Sequence, residues 1–270
     1  MNIVYKWGRN LRLYARLQLL QARAIFEYRA DFWLNIVGMM LRQVAVFVFI
    51  VALFTKVPNV QGWTQPEVIL LYALAVIPRG IVQLFFNGVW WLSGYIHSGK
   101  FDQLLTRPFP IVLQVMALDF SIEGLANILL GIMGLIYATQ GLGLHWGLGA
   151  WVYFIFTMLF SVVIMASIDL ATHCALFWNP ASGGRIPYIA EYLVEFAKYP
   201  ITLYDQVIRT VITWILPFAF VSYYPAVILL SKVDANSWIA YVSPVVALLA
   251  AFLASWLWRR GLAQYQSAGN

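Results

Sequence analysis

The stretch EVILLYALAVIPRGIVQLFFNGVWWL, residues 67–92, decides the fold class of this chain. It contains only two charged residues, Glu67 and Arg79. An α-helix needs about 20 mostly apolar residues to cross the hydrocarbon core of a bilayer. The run is continuous rather than alternating with a period of two, so the sequence predicts a membrane-spanning helix rather than a barrel strand.

Five further stretches of the chain meet the same test of length and apolarity. The six predicted spans are Phe32–Thr55, Glu67–Leu92, Ile111–Tyr137, Trp151–Phe177, Leu203–Val221 and Trp238–Trp258. The composition agrees, because 62% of the residues are hydrophobic and 10% are charged, whereas a soluble domain carries about 25% charged residues. We therefore expect an all-α integral membrane protein with a six-helix transmembrane domain over residues 32–258.

Lysine and arginine are concentrated in alternate connections between the spans. One set of segments carries Lys6, Arg9, Arg12, Arg16, Arg23, Arg29, Lys100, Arg107, Arg185, Lys198, Arg259 and Arg260, and the opposite set carries Lys56 and Lys232. Positive residues stay on the cytoplasmic side, so both termini are predicted to be cytoplasmic, in an inner membrane of the bacterial type. The net charge of +6 follows from this bias and needs no nucleic-acid partner, because basic loops are attracted to anionic lipid headgroups.

The two ends of the chain and span five have features of their own. Residues 1–31 are predicted to form a basic amphipathic helix, either lying in the membrane interface or also contacting a cytoplasmic partner. Residues 259–270 form a short cytoplasmic tail.

Pro217 and Pro225 interrupt the apolar run that continues to Leu230. Proline breaks helices, so a broken, re-entrant segment is predicted between helices five and six.

Ionisable residues inside the spans fall at helical spacing, which predicts a buried network. Its members are Arg42, Arg79, Gln83, Asp119, Glu123, Asp169 and Arg209. Spans two and three are antiparallel neighbours, and counting outward from their connection places Arg79 level with Glu123. An unpaired charge is costly at that depth, so Arg42 and Arg79 are predicted to neutralise Asp119 and Glu123. The network is interpreted as fixing helix register, or alternatively as lining a polar path.

Motifs for catalysis and metal binding are absent from the sequence. The chain contains no GxxxxGK[ST] loop, no GxSxG turn and no HExxH pair. His173 next to Cys174 has no second cluster of ligands, so no zinc site is predicted. We therefore expect a chain that is not an enzyme and binds no cofactor.

The connection after span two, Tyr95–Pro110, reads YIHSGKFDQLLTRPFP. Phe101, Leu104 and Leu105 lie on one side of a short predicted helix that Pro108 would end. From the pattern alone, these apolar residues either pack onto the helix ends or form a docking face for a partner.

This connection resembles the permease subunits of type-2 ABC exporters, in a branch with the signature G-x-[LF]-D-x-L-L-x-R-P. The matching residues are Gly99, Phe101, Asp102, Leu104, Leu105, Arg107 and Pro108. The resemblance implies six spans, a leading interfacial helix and a second permease chain, identical or related. It also implies two copies of a separate ABC ATPase that bind ATP and Mg²⁺, and a coupling helix in this connection that docks on the ATPase.

Two other functions compete with this interpretation. An ion-coupled secondary transporter could use the buried charge network, but such proteins often have matching halves with interrupted helices in both, and only the second half is interrupted here. A lipid-modifying or proteolytic enzyme would need a catalytic constellation, and none stands out. A companion ATPase would discriminate the first function from the other two.

Overall fold

A computed structural model describes residues 3–27, 59–181, 184–232 and 237–266, together with isolated positions between 37 and 55. The first predicted span, Phe32–Thr55, therefore lies largely outside the described residues, and so does Arg42. The positions of that span that are described are helical.

Helices make up nearly all of the regular structure in the described part of the chain. The α-helices are α1 (Ile3–Glu27), α2 (Gln65–Phe86), α3 (Leu92–His97), α4 (Phe101–Leu105), α5 (Ile111–Met116), α6 (Ile122–Gly141), α7 (Leu148–His173), α8 (Arg185–Val194), α9 (Gln206–Thr210), α10 (Tyr223–Leu229) and α11 (Ser243–Gln264). Short 3₁₀ helices cover Asn87–Trp91, Cys174–Phe177, Glu195–Lys198, Ile201–Leu203, Phe218–Phe220 and Ser237–Val242, and a π-helical turn covers Val211–Ile215.

Four helical segments of the described chain are long and apolar enough to cross a membrane. They are Gln65–His97, Ile122–Gly141, Leu148–Phe177 and Trp238–Gln264, and a bent pair, Gln206–Ile215 with Phe218–Leu229, raises the number to five if it counts as one span. Large apolar side chains such as Met133, Ile155 and Phe252 are exposed on these helices, as expected where lipid is the solvent. The protein is thus a multi-pass membrane protein, with four or five of the six predicted spans among the described residues.

The third predicted span is shorter than expected. Residues 111–137 were expected to form one helix, but α5 ends at Met116 and α6 begins at Ile122. The membrane-crossing part is α6 alone.

Glycines set the packing of α2 against α6, which run antiparallel. A Cβ atom on Gly124 would lie 2.4 Å from the carbonyl oxygen of Gly80, and one on Gly80 would lie 2.6 Å from that of Gly124. Only glycine allows the two backbones to approach so closely, as at small-residue contacts in other membrane helices. Because Gly80 faces Gly124 in this antiparallel pair, Arg79 lies opposite Leu125, two residues from the predicted partner Glu123.

The segment after α7 is more deeply packed than the sequence indicated. Residues 179–200 lie between predicted spans four and five, in a connection whose Arg185 and Lys198 predicted a cytoplasmic location. Instead, α8 and the 3₁₀ helix that follows it bury Ala190, Val194 and Ala197 in the hydrophobic core that includes Leu74 of α2. This segment therefore brings polar side chains into contact with the middle of α2.

The break in the fifth predicted span lies at Pro217, where the two helical segments are bent by 74°. Pro225 does not break the chain. It lies in the first turn of α10, where a missing N–H is tolerated because that group has no partner within the helix. One of the two predicted proline breaks is thus confirmed as a break, and the other is wrong.

The leading helix α1 is attached to the end of α2. Tyr14 Oη donates a hydrogen bond to the carbonyl of Phe85, and Gln18 Nε2 donates to the same oxygen at 2.7 Å. Arg12 and Leu19 are exposed on other faces of the helix. One polar face of α1 therefore packs on the end of α2, while Arg12 and Leu19 lie on faces that are exposed within the described part of the chain.

Candidate functional site: the loop after the second span and a buried ion cluster

The segment Gly99–Pro108, called here the signature loop, begins with a glycine that its geometry requires. Gly99 has φ of 68°, in the left-handed region, directly after the C-terminal end of α3. Its N–H donates to the carbonyl of Ile96 at 3.2 Å, and its own carbonyl accepts from the Asp102 N–H at 3.3 Å. Glycine adopts this conformation without strain and is the usual residue after a helix end. The first position of the signature is thus explained by the turn into α4.

One side of α4 is buried in the protein. Phe101 is 0% exposed and Leu104 is 2% exposed. The ring of Phe101 contacts that of Phe177 with centroids 5.7 Å apart, and Phe177 in turn contacts Trp258 at 5.3 Å. Because Phe177 follows α7 and Trp258 lies in α11, this side of α4 is fixed to the C-terminal ends of two spans.

Polar contacts hold the signature loop from two more directions. Gln114 of α5 is buried, and its Nε2 donates to the carbonyls of Leu104 at 3.0 Å and Phe109 at 2.7 Å. Tyr265 Oη donates to Asp102 Oδ1 at 3.0 Å. Neither Gln114 nor Tyr265 was predicted from the sequence to contact this loop. The only available signal was that Gln114 is a lone polar residue in the apolar start of a predicted span.

The opposite side of the signature loop is exposed. It consists of Gln103, Leu105, Thr106, Arg107 and Pro108, and we call it the outer face. Leu105 is 41% exposed.

Five of the seven signature residues therefore divide into a buried and an exposed group, and the other two, Gly99 and Asp102, are half-buried. The prediction that all seven form a docking face is wrong for Phe101 and Leu104, which are buried against the spans. It remains a prediction for Leu105, Arg107 and Pro108.

A second polar site surrounds Arg79, which is 8% exposed in the middle of α2. Its Nη1 donates to Asp169 Oδ2 of α7 at 2.7 Å, and its Nη2 donates to Glu191 Oε2 of α8. The side chain of Asp169 is 13% exposed and that of Glu191 is 33% exposed. We call these three residues the Arg79 cluster. It fastens α2, α7 and α8 together by charge-assisted hydrogen bonds, which are the strong kind.

The pairing differs from the predicted network. Arg79 was expected to neutralise Asp119 and Glu123, but its two carboxylate partners are Asp169 and Glu191. Asp119 instead accepts a hydrogen bond from Asn87 Nδ2 at 2.5 Å.

Other members of the predicted network form hydrogen bonds that were not predicted. Asn127 Nδ2 donates to Gln83 Oε1 at 2.6 Å, and Arg209 Nη2 donates to the carbonyl of Tyr204 at 3.2 Å. Arg42 lies outside the described residues. The missed partner, Glu191, was assigned to a connector. The signal for it was the spacing of Pro187, Ala190, Val194 and Ala197, which is that of a buried helix face.

A polar cavity of about 240 Å³ lies beside the Arg79 cluster. Its polar lining residues are Arg79, Gln83, Glu123, Asn127, Glu191, Glu195 and Lys198. Lys198 and Glu195 form an ion pair at 2.5 Å. The cavity offers both hydrogen-bond donors and acceptors, as a water-filled pocket between membrane helices does. No group of histidine, cysteine and acidic side chains among the described residues could hold a metal ion.

Comparison with known families decides what kind of protein carries these features. Residues 40–269 match the family described as ABC-2 family transporter protein. The chain belongs to the ABC-2 transporter family. No curated protein and no solved structure matches it. This ABC-2 protein is therefore a membrane permease of an ABC transporter, and membership implies association with an ABC ATPase and with the membrane.

Proposed function

We propose that this ABC-2 permease is the transmembrane subunit of an ATP-driven exporter, and that its ABC ATPase docks on the outer face of the signature loop. The observation that carries the proposal is the two-sided construction of α4. Phe101 and Leu104 are buried against the ends of the spans, while Leu105 and Arg107 are exposed. An exposed leucine and an exposed arginine two residues apart suit a protein contact, in which arginine side chains are enriched.

The same construction suggests how ATP hydrolysis would reach the membrane. A displacement of α4 by the ATPase is passed to α7 and α11 through the aromatic contacts of Phe101, Phe177 and Trp258. It reaches α5 through Gln114. Packed interiors shift between discrete arrangements rather than deform smoothly, so the spans would switch together between inward and outward access. The substrate must bind the two states with different affinity for transport to follow.

The partners complete this scheme. Two copies of the ATPase would bind ATP and Mg²⁺, and a second permease chain, identical or related, would form the other half of the translocation path. The protein would lie in the inner membrane with both termini in the cytoplasm, as the distribution of lysine and arginine predicts. The bend at Pro217 would mark a re-entrant segment, which survives in lipid only where protein or a cavity shields its backbone.

The Arg79 cluster is assigned a structural role in this scheme. Its arginine is neutralised by two carboxylates from two other helices, an arrangement that fixes helix positions. An ion-driven secondary transporter would use such a cluster for coupling, but family membership favours a permease driven by an ATPase.

Co-purification in mild detergent tests the docking surface. Leu105→Asp and Arg107→Glu should each reduce the amount of ABC ATPase that co-elutes with the permease, without changing the elution of the permease itself. Arg259→Glu, on an exposed arginine of α11, is the matched control and should retain the ATPase. Equal retention by all three variants would place the docking surface elsewhere.

A further inference from the structure

The C-terminal tail turns back onto the signature loop immediately after α11. The helix ends at Gln264, and Tyr265 adopts an extended backbone conformation with φ of −62° and ψ of 128°. Its N–H donates to the carbonyl of Leu262 at 3.3 Å. This change of direction places the tyrosine ring against α4 rather than along the axis of α11.

The ring and the hydroxyl of Tyr265 both contact α4. The ring lies 4.7 Å from that of Phe101 and 6.3 Å from that of Phe177, measured between centroids. The hydroxyl donates to Asp102 Oδ1 at 3.0 Å. Burial, together with this hydrogen bond, raises the pKa of Tyr265 to about 12, so the hydroxyl keeps the proton that it donates at neutral pH.

The orientation of α4 depends on such contacts because the helix has only five residues. Isolated helices shorter than about 12 residues are unstable in water. A cleft of about 590 Å³ lies on the same side, lined by residues that include Ile96, Trp178 and Tyr265. Removing the tyrosine ring would enlarge this cleft and leave one face of Phe101 without its neighbour.

We propose that Tyr265 is a positioning residue that holds α4 in the orientation that the ATPase recognises. The second half of this statement rests on the proposed function, whereas the first half concerns the permease alone. The tail would thus form part of the coupling apparatus, although it comes some 160 residues later in the sequence than α4. Gly261 supports the same arrangement, because a Cβ atom there would lie 2.5 Å from Cδ2 of Phe177.

A spin label on α4 tests the positioning role without the ATPase. Gln103 is exposed, and the single native cysteine, Cys174, is buried. A Gln103→Cys variant in a Cys174→Ala background therefore carries the label at one place. In the purified permease, Tyr265→Ala should abolish the immobilised component of the spectrum. Tyr265→Phe keeps the ring but not the hydrogen bond, and should retain most of that component.

The matched control is Tyr192→Ala, which removes an exposed tyrosine of α8 and should leave the spectrum unchanged. An unchanged spectrum in Tyr265→Ala would overturn the proposal. If that variant does not fold, Tyr265→Leu decides instead: an immobilised component equal to that of the parent would show that the aromatic ring positions nothing.

Retention of the ATPase then tests the second half of the proposal. Tyr265→Ala should co-elute with less ATPase than the parent, and Tyr265→Phe should recover most of the loss. If the label on α4 is mobile in Tyr265→Ala but the ATPase is fully retained, the ATPase does not depend on the orientation of α4 that Tyr265 holds. Leu105→Asp separates this failure from that of the proposed function, because it should lose the ATPase while the label stays immobilised. If Leu105→Asp retains the ATPase, the proposed location of the docking surface is wrong. The spectrum of the spin label then tests the positioning role of Tyr265 by itself.

Discussion

Replacement of Arg79 by methionine removes the cation of the Arg79 cluster and leaves two carboxylates facing each other inside the protein. Arg79 and Asp169 have side chains that are only 10% and 13% exposed. Removing one partner of a buried ion pair costs about 3–5 kcal/mol, because the remaining charge is left without compensation. The side chain of Glu191 is 33% exposed, so its contact with Arg79 is partly screened and contributes closer to the 0–1 kcal/mol of a surface pair.

These exposures predict a rank order for the three single variants. Arg79→Met should lower the free energy of unfolding by about 3–5 kcal/mol. Asp169→Asn leaves Arg79 paired with Glu191 and should cost about 1.5–3 kcal/mol, the range for a hydrogen bond to a charged group. Glu191→Gln should cost about 1 kcal/mol or less. The combined variant Arg79→Met/Asp169→Asn/Glu191→Gln should recover most of the loss, because it leaves no unpaired charge.

The assay is reversible unfolding of the purified protein in mixed micelles with increasing denaturing detergent. Arg259→Met, on an exposed arginine, is the control and should change the free energy of unfolding by less than about 0.5 kcal/mol. The reasoning is refuted if Arg79→Met costs no more than this control. It is also refuted if Glu191→Gln costs more than Asp169→Asn.

Three further predictions concern other contacts. Gly124→Ala should destabilise the protein by about 1–3 kcal/mol in the same unfolding assay, because the added Cβ would lie 2.4 Å from a backbone oxygen of α2. Gly149→Ala is the control and should not destabilise the protein, because nothing lies within 4 Å of its added Cβ. Gln114→Leu should lower the free energy of unfolding by about 1–3 kcal/mol, because it leaves the carbonyls of Leu104 and Phe109 without their donor. Amide hydrogen exchange in residues 101–109 should become faster. Unchanged exchange would contradict this prediction. Lys232→Met should lower the free energy of unfolding by about 1 kcal/mol or less. The Glu67 carboxylate that Lys232 binds at 2.8 Å keeps a second donor, the Thr64 N–H. A larger loss would show that the Lys232–Glu67 ion pair stabilises the protein more than a surface pair does.

The approximate alignment of α2 with α6 was easier to predict from the sequence than the direction in which the Arg79 side chain points. Counting along two helices that neighbour each other in the chain pairs Arg79 with Glu123, and the contact between Gly80 and Gly124 shows that this register is off by two residues. The direction in which Arg79 points was not predictable in this way. It is set by Asp169 and Glu191, which lie on helices that come 90 and 112 residues later.

The same limit applies to α4. Its apolar residues are visible in the sequence, but a pattern of five residues does not show which side faces the protein. Phe101 and Leu104 are buried because Phe177, Trp258 and Tyr265 from distant parts of the chain form an aromatic cluster beside them. Leu105 has no place in that cluster, and its exposure separates the outer face from the buried one.

Photo-crosslinking from the outer face tests the central claim most directly. A photoreactive amino acid at position 105 in the assembled transporter should form an adduct with the ABC ATPase. The same amino acid at position 148, where Leu148 is exposed at the opposite end of α7, should form none. If the ATPase co-purifies with the permease but crosslinks from neither position, or only from position 148, the account of the signature loop as the docking surface is contradicted.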